Sequence, residues 1–243
     1  MRVATWNMKQ AVAPRKPLQE LWTWAEEAIA PDVAVFTEAR VPTAGPPPGW
    51  SALWIDGGFG SRRRWGTVLA GRNLEVVPVG EVRTRFQRVQ LKPTWPAAVQ
   101  VADVMVSRER WATVIGLYGV TVDESGEKCG HGRHSIPQTL KDLRPLFKSD
   151  RRDRIVVAGD FNMWPKDRKA LVDTFGLVDL VDLTADDRSA LARCSGCNLG
   201  SACGHMWTHR NGNSPNAAVQ QIDFILSTDT LSREVSRVTG GIR

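Results

Sequence analysis

Four short apolar runs along the chain predict β-strands that each bring an acid or an amide to the edge of a sheet. They are Arg2–Trp6, Asp32–Phe36, Ile155–Ala158 and Ile222–Leu226. Asn7, Glu38 and Asp160 follow the first three runs, and Asp223 lies inside the fourth. A strand buried on both faces has polar residues only where its backbone emerges from the sheet. Such edges are where α/β proteins place their chemistry.

The segment Gly159-Asp160-Phe161-Asn162 is the most informative of these strand ends. Asp160 and Asn162 are two positions apart, so in extended backbone their side chains point the same way. A carboxylate that only accepts hydrogen bonds, beside an amide that donates them, suits a water nucleophile and an oxyanion. The alternative reading is an Asx turn that closes the strand. Asp223 is an acid within an apolar stretch, so it needs a donor, a metal or a cation as partner.

The remaining periodicity predicts helices that cover the sheets. From Leu18 to Ile29 the apolar positions follow helical spacing, and the pattern ends before Pro31. Ser135 is predicted to cap a second helix, and a third helix follows Pro165. There is no internal repeat and no convincing linker in the sequence. We therefore expect residues 1–243 to form one large α/β domain.

Taken together, the polar motifs resemble the endonuclease/exonuclease/phosphatase superfamily, the group that includes deoxyribonuclease I. They are Trp6-Asn7, Thr37-Glu38, Gly159-Asp160-Phe161-Asn162 and Gln221-Ile222-Asp223-Phe224, in the order that the superfamily has them. The resemblance implies a four-layer α/β sandwich of two packed mixed β-sheets with helices on the outer faces. It implies phosphoester hydrolysis but does not separate phosphodiesterases from phosphomonoesterases.

The resemblance also implies roles for individual residues. Glu38, helped by Asn7, would hold Mg²⁺, with Mn²⁺ as a substitute, because oxygen ligands suit a hard ion. Asp160 would position and deprotonate the attacking water, and Asn162 would hydrogen-bond a phosphate oxygen. Tyr118 falls where some members have a tyrosine that contacts phosphate, although an aromatic residue at a strand end is an equal reading.

In the superfamily, the acid corresponding to Asp223 orients a histidine in a later Ser-Asp-His segment. The present sequence runs to Gly240-Gly241-Ile242-Arg243 without such a segment. An early end, a substitute residue and a degenerate homologue are the three explanations, and we favour the first two. His209 is a candidate substitute, with a structural imidazole as the alternative. A positioned acid or base typically contributes about 10²- to 10⁴-fold to a rate.

Charge favours a polyanionic partner. Lys and Arg total 32 against 26 acids, which gives a net charge of +6 and a pI near 9.5. Neutralising phosphates releases counterions and supplies binding that does not depend on sequence. The segment Arg62-Arg63-Arg64-Trp65 is the strongest local candidate, and Trp164 is a candidate for the cleft. We expect nucleic acid as the partner, DNA before RNA, although charge runs are usually solvated faces.

The cysteines form a separate candidate constellation. Cys194, Cys197, Cys203 and His205 fall within twelve residues, a set that tetrahedral zinc would accept. Free thiols or a disulfide are the equal alternative, and Cys129, His131 and His134 offer other ligands. No apolar stretch reaches the length of a membrane span and no signal region follows Met1. We expect a cytoplasmic monomer with no membrane partner.

These observations predict a Mg²⁺-dependent phosphodiesterase, most simply a nuclease. A phosphomonoesterase or lipid phosphodiesterase with the same site is the enzymatic alternative. A catalytically impaired homologue that binds nucleic acid through its arginines is the alternative from another class.

Overall fold

Two β-sheets form the centre of the protein. The computed structural model describes residues 1–9, 18–55, 65–121, 132–180, 208–210 and 219–238. The smaller sheet contains β1 Val3–Asn7, β2 Val33–Ala39, β3 Trp50–Leu53 and β4 Gly66–Arg72, in the order β1-β2-β4-β3. Since β1 and β2 are parallel and the other neighbours antiparallel, this sheet is mixed.

The larger sheet is also mixed. It has the order β11-β14-β10-β9-β8-β5, in which only β9 and β10 are parallel. Its strands are β5 Glu75–Pro78, β8 Val99–Val106, β9 Glu109–Tyr118, β10 Ile155–Asp160, β11 Leu177–Asp179 and β14 Asp223–Thr228. Two small hairpins lie outside the main sheets: β6 Glu81–Arg83 with β7 Arg88–Gln90, and β12 His209–Arg210 with β13 Val219–Gln220.

Helices cover the outer face of each sheet. They are α1 Leu18–Trp24 with the π-helical turn Ala25–Ile29, α2 Gly132–Asp142, α3 Pro165–Phe175 and α4 Asp229–Ser232, together with 3₁₀ turns at Pro96–Ala98 and Leu146–Lys148. Trp22 of α1 packs against Phe36 on the smaller sheet, and Leu140 of α2 lies in one cluster with Val157 on the larger sheet. Within the described ranges, no helix has the length and apolar character needed to cross a membrane.

A third apolar cluster lies between the two sheets. Val33 and Val35 of β2 meet Val156 and Ala158 of β10 there. The alternate residues of the same strands, such as Phe36 and Val157, pack against the helices instead. Successive side chains of a strand point to opposite faces, so each sheet is buried on both sides. The predicted four-layer sandwich with outer helices is confirmed.

The structure corrects one predicted boundary. Ser135 does not cap the second helix, because α2 already includes Gly132 and Ser135 lies within it. The Ser135 hydroxyl is buried and donates a hydrogen bond to the carbonyl oxygen of Val120 at 3.2 Å. A serine that bonds a neighbouring backbone carbonyl satisfies its polar group away from any helix end. The predicted helix after Pro165 is present as α3.

Candidate functional site

The predicted polar residues meet at one end of the gap between the two sheets. Val3 of β1 and Ala158 of β10 both pack in this gap. Asn7 lies four positions after Val3 and Asp160 two positions after Ala158, so strand alternation turns both side chains to the same gap. The Nδ2 atom of Asn7 donates a hydrogen bond to Oδ2 of Asp160 at 2.8 Å. This bond joins the two sheets where the apolar packing ends.

Asn7 also binds the third strand end. Its Nδ2 atom lies 3.2 Å from Oε1 of Glu38, so a single amide group contacts two carboxylates. Its Oδ1 atom accepts the backbone N–H of Lys9 at 2.8 Å. The amide is thereby held at both ends, and Glu38 and Asp160 are both brought within hydrogen-bonding distance of one nitrogen atom.

A bulge in β2 brings Glu38 into this gap. Val35 and Thr37 face the gap between the sheets, so regular alternation would turn Glu38 toward the outer helix. The β2–β4 register shifts between Phe36 and Ala39, and Glu38 has a φ of 45°. A bulge adds a residue to one strand and redirects the side chains that follow. The left-handed backbone at Glu38 therefore places its carboxylate beside Asn7.

The larger sheet contributes three neighbouring side chains. Asp160 in the central strand is paired with Asp223 in β14 and with Tyr118 in β9. The Tyr118 hydroxyl lies 3.5 Å from Oε1 of Glu38, and the ring packs edge-on against Trp65 with centroids 5.1 Å apart. Thus the four predicted strand ends, together with Tyr118, converge across two sheets.

Burial and like charge raise the pKa values of the two aspartates. Burial is the main cause of the rise in the pKa of Asp223 to about 7; hydrogen bonding to Thr208 opposes it and Glu38 adds to it. The pKa of Asp160 is also raised, first by burial and then by Asp223, against hydrogen bonds from Asn7 and Asn162. Burial and the charges of Glu38 and Asp160 raise the pKa of Tyr118, so its hydroxyl stays protonated. The site therefore carries an excess of negative charge.

The strand end at Asp160 is a turn, not extended backbone. The Asn162 backbone N–H donates to Oδ1 of Asp160 at 2.9 Å, and Asn162 has a φ of 47°. The Asx-turn alternative is therefore right, and the argument from extended alternation was wrong for this pair. The Asn162 side chain still lies at the same edge of the sheet, because its amide donates to the Gly119 carbonyl at 2.9 Å and Gly119 directly follows Tyr118.

Two glycines allow this turn to pack closely, and sequence reasoning missed them. A Cβ atom at Gly119 would lie 2.0 Å from the Phe161 carbonyl oxygen, and one at Gly132 would lie 1.6 Å from it. The Gly119 N–H donates to the Asp160 carbonyl at 2.7 Å, and the Gly132 N–H donates to Asn162 at 2.9 Å. Any larger residue would displace the turn. The glycine that follows Tyr118 was the available sequence signal.

Thr208 is a further residue that sequence reasoning did not select. Its Oγ1 atom accepts the backbone N–H groups of Ile222 and Asp223, each at 3.1 Å. The neighbouring His209 is half-buried, and burial followed by the charge of Lys9 lowers its pKa. Because Thr208 binds the backbone of Asp223, its neighbour His209 lies near the site. Its role as a substitute base stays a prediction.

The oxygen ligands at this edge fit a hydrated hard cation. Oδ1 of Asp223 is buried and makes no hydrogen bond among the described residues, and a cation would relieve the mutual repulsion of the carboxylates. Across the described ranges, no three His, Cys, Asp or Glu side chains are grouped so as to hold a metal ion between them. Mg²⁺ needs only one or two carboxylates, because it keeps several of its waters. Glu38 with Asn7 fits that requirement, and their ligand role stays a prediction.

Several predicted residues are not part of this geometry. Trp164 is half-buried two positions after Asn162, where it precedes α3. The arginines of the basic segment and the candidate zinc ligands lie outside the described residues, so both predictions stay untested. They are Arg62, Arg63, Arg64, Cys194, Cys197, Cys203 and His205.

Comparisons with known proteins identify the fold. No protein-family model matches the sequence, and no curated protein does. A 3′–5′ exonuclease from Neisseria meningitidis superposes with a TM-score of 0.60 at 16% identity, covering 97% of this chain and 90% of that chain. The AP endonuclease of Leishmania major gives 0.59 at 13% identity, with coverages of 96% and 80%.

A third solved structure agrees. D. rerio TDP2, complexed with a single-strand DNA product, gives a TM-score of 0.53 at 15% identity, with coverages of 95% and 85%. Each likeness extends over nearly the whole chain at low identity, so it concerns architecture. The protein has the deoxyribonuclease I-like fold that the sequence motifs implied.

Proposed function

We propose that this protein is a divalent-metal-dependent phosphodiesterase that hydrolyses nucleic acid. The observation that supports the proposal most strongly is the Asn7 amide, which contacts Glu38 on one sheet and Asp160 on the other. Asp223 and Tyr118 are the immediate strand partners of Asp160. Buried acids without a cation beside them are costly to a fold, and such clusters are typical of functional sites.

In the proposed mechanism, Asp160 orients the attacking water and accepts its proton. Two hydrogen bonds, from Asn7 and from the Asn162 backbone, fix its carboxylate. Its raised pKa brings it closer to neutral pH than an exposed aspartate, as suits a general base. Asn162, held by the Gly119 carbonyl, would hydrogen-bond a phosphate oxygen as negative charge builds on it. Tyr118 would contact the phosphate as an uncharged donor.

Glu38 and Asn7 are the proposed metal ligands, with Mg²⁺ as the ion and Mn²⁺ as a substitute. When bound, such an ion neutralises the phosphate and stabilises the departing oxygen. Asp223 faces the same gap and would be stabilised in its charged form by the added positive charge.

Nucleic acid is the proposed substrate for two reasons. The chain has a net charge of +6, and a polyanion gains affinity by releasing counterions on a basic protein. The similar structures include an exonuclease, an AP endonuclease and TDP2 with a single-strand DNA product, so this fold occurs in nucleases and in a protein complexed with DNA. DNA is proposed ahead of RNA on that basis.

Plasmid nicking tests the proposal directly. Supercoiled DNA should be nicked in the presence of Mg²⁺, and excess EDTA should stop the reaction. Asp160→Ala should lower the rate by about 10²-fold or more, as expected for a positioned base. Asp173→Ala is the matched control, because Asp173 is an exposed aspartate on α3 whose one ion pair among the described residues is with Lys169. It should nick at the parent rate.

The alternatives give different outcomes in the same assay. Release of inorganic phosphate from an oligonucleotide that ends in a phosphate, without nicking, would replace the proposal with a phosphomonoesterase. Salt-sensitive DNA binding without any hydrolysis would indicate a binding homologue. Nicking that persists in Asp160→Ala would contradict the assignment of this site.

A further inference from the structure

A second polar surface lies at the opposite end of the larger sheet. Residues 148–153 directly precede β10, whose far end is Asp160. The β6–β7 hairpin reaches this surface through a backbone bridge between Thr84 and Ser149. A strand of six residues spans about 20 Å. The surface is therefore separated from the carboxylates by roughly the length of β10.

The hairpin and this segment enclose an open groove of about 460 Å³, here called the distal groove. Four basic and two acidic side chains line it: Arg83, Arg85, Lys148, Arg152, Asp150 and Asp153. The hairpin and the segment are joined by the bridge, so the basic residues of both elements are held facing one space.

The charge in the distal groove is unbalanced. Asp150 is already engaged by Arg110 at 3.3 Å and by Arg151 at 3.1 Å. Asp153 lies 3.5 Å from Arg152. Within the described part of the chain, the exposed side chains of Arg83, Arg85 and Lys148 make no ion pair. Three cations thus face the groove without a counter-ion, which is an arrangement suited to a polyanion.

An aromatic ring stands beside these cations. Phe86, at the tip of the hairpin, is 87% exposed, and the Arg85 guanidinium carbon lies 5.6 Å from the centre of its ring. A single exposed phenylalanine is ordinary on a protein surface. Beside a cluster of cations that can bind phosphates, however, the ring offers a face on which a base can stack. Aromatic rings interleaved with arginines are the usual platform for single-stranded nucleic acid.

We propose that the distal groove binds a single-stranded segment of nucleic acid, with phosphates at Arg83, Arg85 and Lys148 and a base stacked on Phe86. Both aspartates that line the groove are already paired with arginines, so we assign it a binding role and not a hydrolytic one. It shares with the proposed function the class of substrate, nucleic acid, but does not depend on the hydrolytic step. The groove would hold one part of a long strand while the site at Asp160 acts on another part of that strand.

Binding is measured in the Asp160→Ala background, so that no substrate is consumed. The probe is a fluorescent single-stranded oligonucleotide of about 30 nucleotides, and anisotropy is followed over a salt series. Arg83→Gln with Arg85→Gln should weaken binding about tenfold and lower the slope of log K against log[salt] by about 1.4, the value for two lost phosphate contacts. Lys141→Gln with Lys169→Gln removes the same charge from α2 and α3 and should change affinity less than about twofold.

Phe86 separates stacking from charge. Phe86→Ala should weaken binding by about fivefold or more without changing the salt slope, because a lost stack is not electrostatic. Phe86→Trp should bind at least as tightly as the parent. Both changes are at an exposed hairpin tip, so folding is checked simply by circular dichroism and melting temperature.

The outcomes distinguish this proposal from the first. If both double variants weaken binding equally, net charge alone explains the affinity and the distal groove has no role. If poly-glutamate competes as well as the oligonucleotide and Phe86→Ala has no effect, the occupant is an acidic protein segment and the proposal fails. If plasmid nicking by the parent is absent but the groove variants behave as expected, the groove stands and the nuclease proposal falls.

Discussion

Two buried carboxylates of the same sheet meet opposite electrostatic surroundings. Asp103 in β8 accepts hydrogen bonds from Thr113 at 2.6 Å and from the Arg151 guanidinium at 2.8 Å, so its charge is matched within the fold. Burial works against the charged form of Arg151, but Asp103 and Asp150 raise its pKa overall. Asp160 in β10 receives amide hydrogen bonds and lies beside Asp223, and no cationic side chain within the described residues pairs with it.

The difference separates a structural acid from a functional one. A carboxylate with an arginine partner has its charge matched within the fold, and removing one member of such a pair is strongly destabilising. Acids that face each other repel when both are charged, which raises their pKa values and lowers the stability of the fold. A bound cation would relieve this repulsion. Each variant below tests one side of that contrast.

The largest effect is expected for Asp160→Asn, which keeps the shape of the side chain and removes its charge. Activity on DNA should fall by about 10²-fold or more, because the proton acceptor is lost. The free energy of unfolding should not fall, because one member of a repelling group has been neutralised. Nicking assays and urea denaturation on the same sample measure both quantities. A large loss of stability would place Asp160 with Asp103 as a structural acid.

Arg151→Met should show the reverse pattern. It leaves the buried Asp103 carboxylate with only Thr113, and the free energy of unfolding should fall by about 2 to 3 kcal/mol. Nicking should stay within about twofold of the parent. The double variant Asp103→Asn with Arg151→Met removes both charges and should recover part of the stability. No recovery would show that the lost stability came from packing and not from an unpaired charge.

Asp223→Asn should change how stability depends on pH. The folded pKa of Asp223 is about 7, above its ordinary value of 3.8, so the folded state holds this proton more tightly than the unfolded chain. As pH rises from 3.8 to about 7, ionisation of Asp223 lowers the free energy of unfolding, and above that interval the loss is complete. In EDTA the variant should gain melting temperature over the parent at about pH 8.5 and little at about pH 4.5. A pH-independent difference would contradict the raised pKa.

The smallest effect is expected for Tyr118→Phe. The hydroxyl lies 3.5 Å from Glu38 and is hydrogen-bonded to the side chains of Asn162 and Thr121, while the ring packs on Trp65. The substitution therefore removes the polar contacts of the hydroxyl and keeps the packing of the ring. Activity should fall about two- to tenfold, the worth of one net hydrogen bond, with the melting temperature nearly unchanged. Steady-state kinetics on an oligonucleotide measures it. Unchanged activity would favour the reading of Tyr118 as a strand-end aromatic.

Much of the fold was predictable because its signals are local. The apolar runs predicted β1, β2, β10 and β14, and helical spacing predicted α1. The prediction for Ser135 failed, because whether a serine caps a helix depends on which carbonyl is near, and Val120 is distant in sequence. The motif order pointed to the deoxyribonuclease I-like fold even though no family model matches the chain.

The candidate site was predictable as a set of residues but not as a geometry. Alternation alone would turn Glu38 away from Thr37, and only the bulge with a φ of 45° returns it to the gap. The Asx turn at Asn162 and the two glycines beside it depend on the Phe161 backbone. Thr208 was not selected because a hydroxyl that accepts two strand N–H groups has no sequence signature.

The sequence by itself determined which residue types stand at the strand ends and how the strands alternate, since these are properties of neighbouring residues. Tertiary structure alone decided that Asn7 of one sheet contacts Asp160 of the other, 153 positions away. It also decided that Asp103 has an arginine partner, whereas Asp160 has none within the described part of the chain. The physical reason is that charge acts through space: the pKa of a buried acid depends on what the fold places within a few ångströms of it.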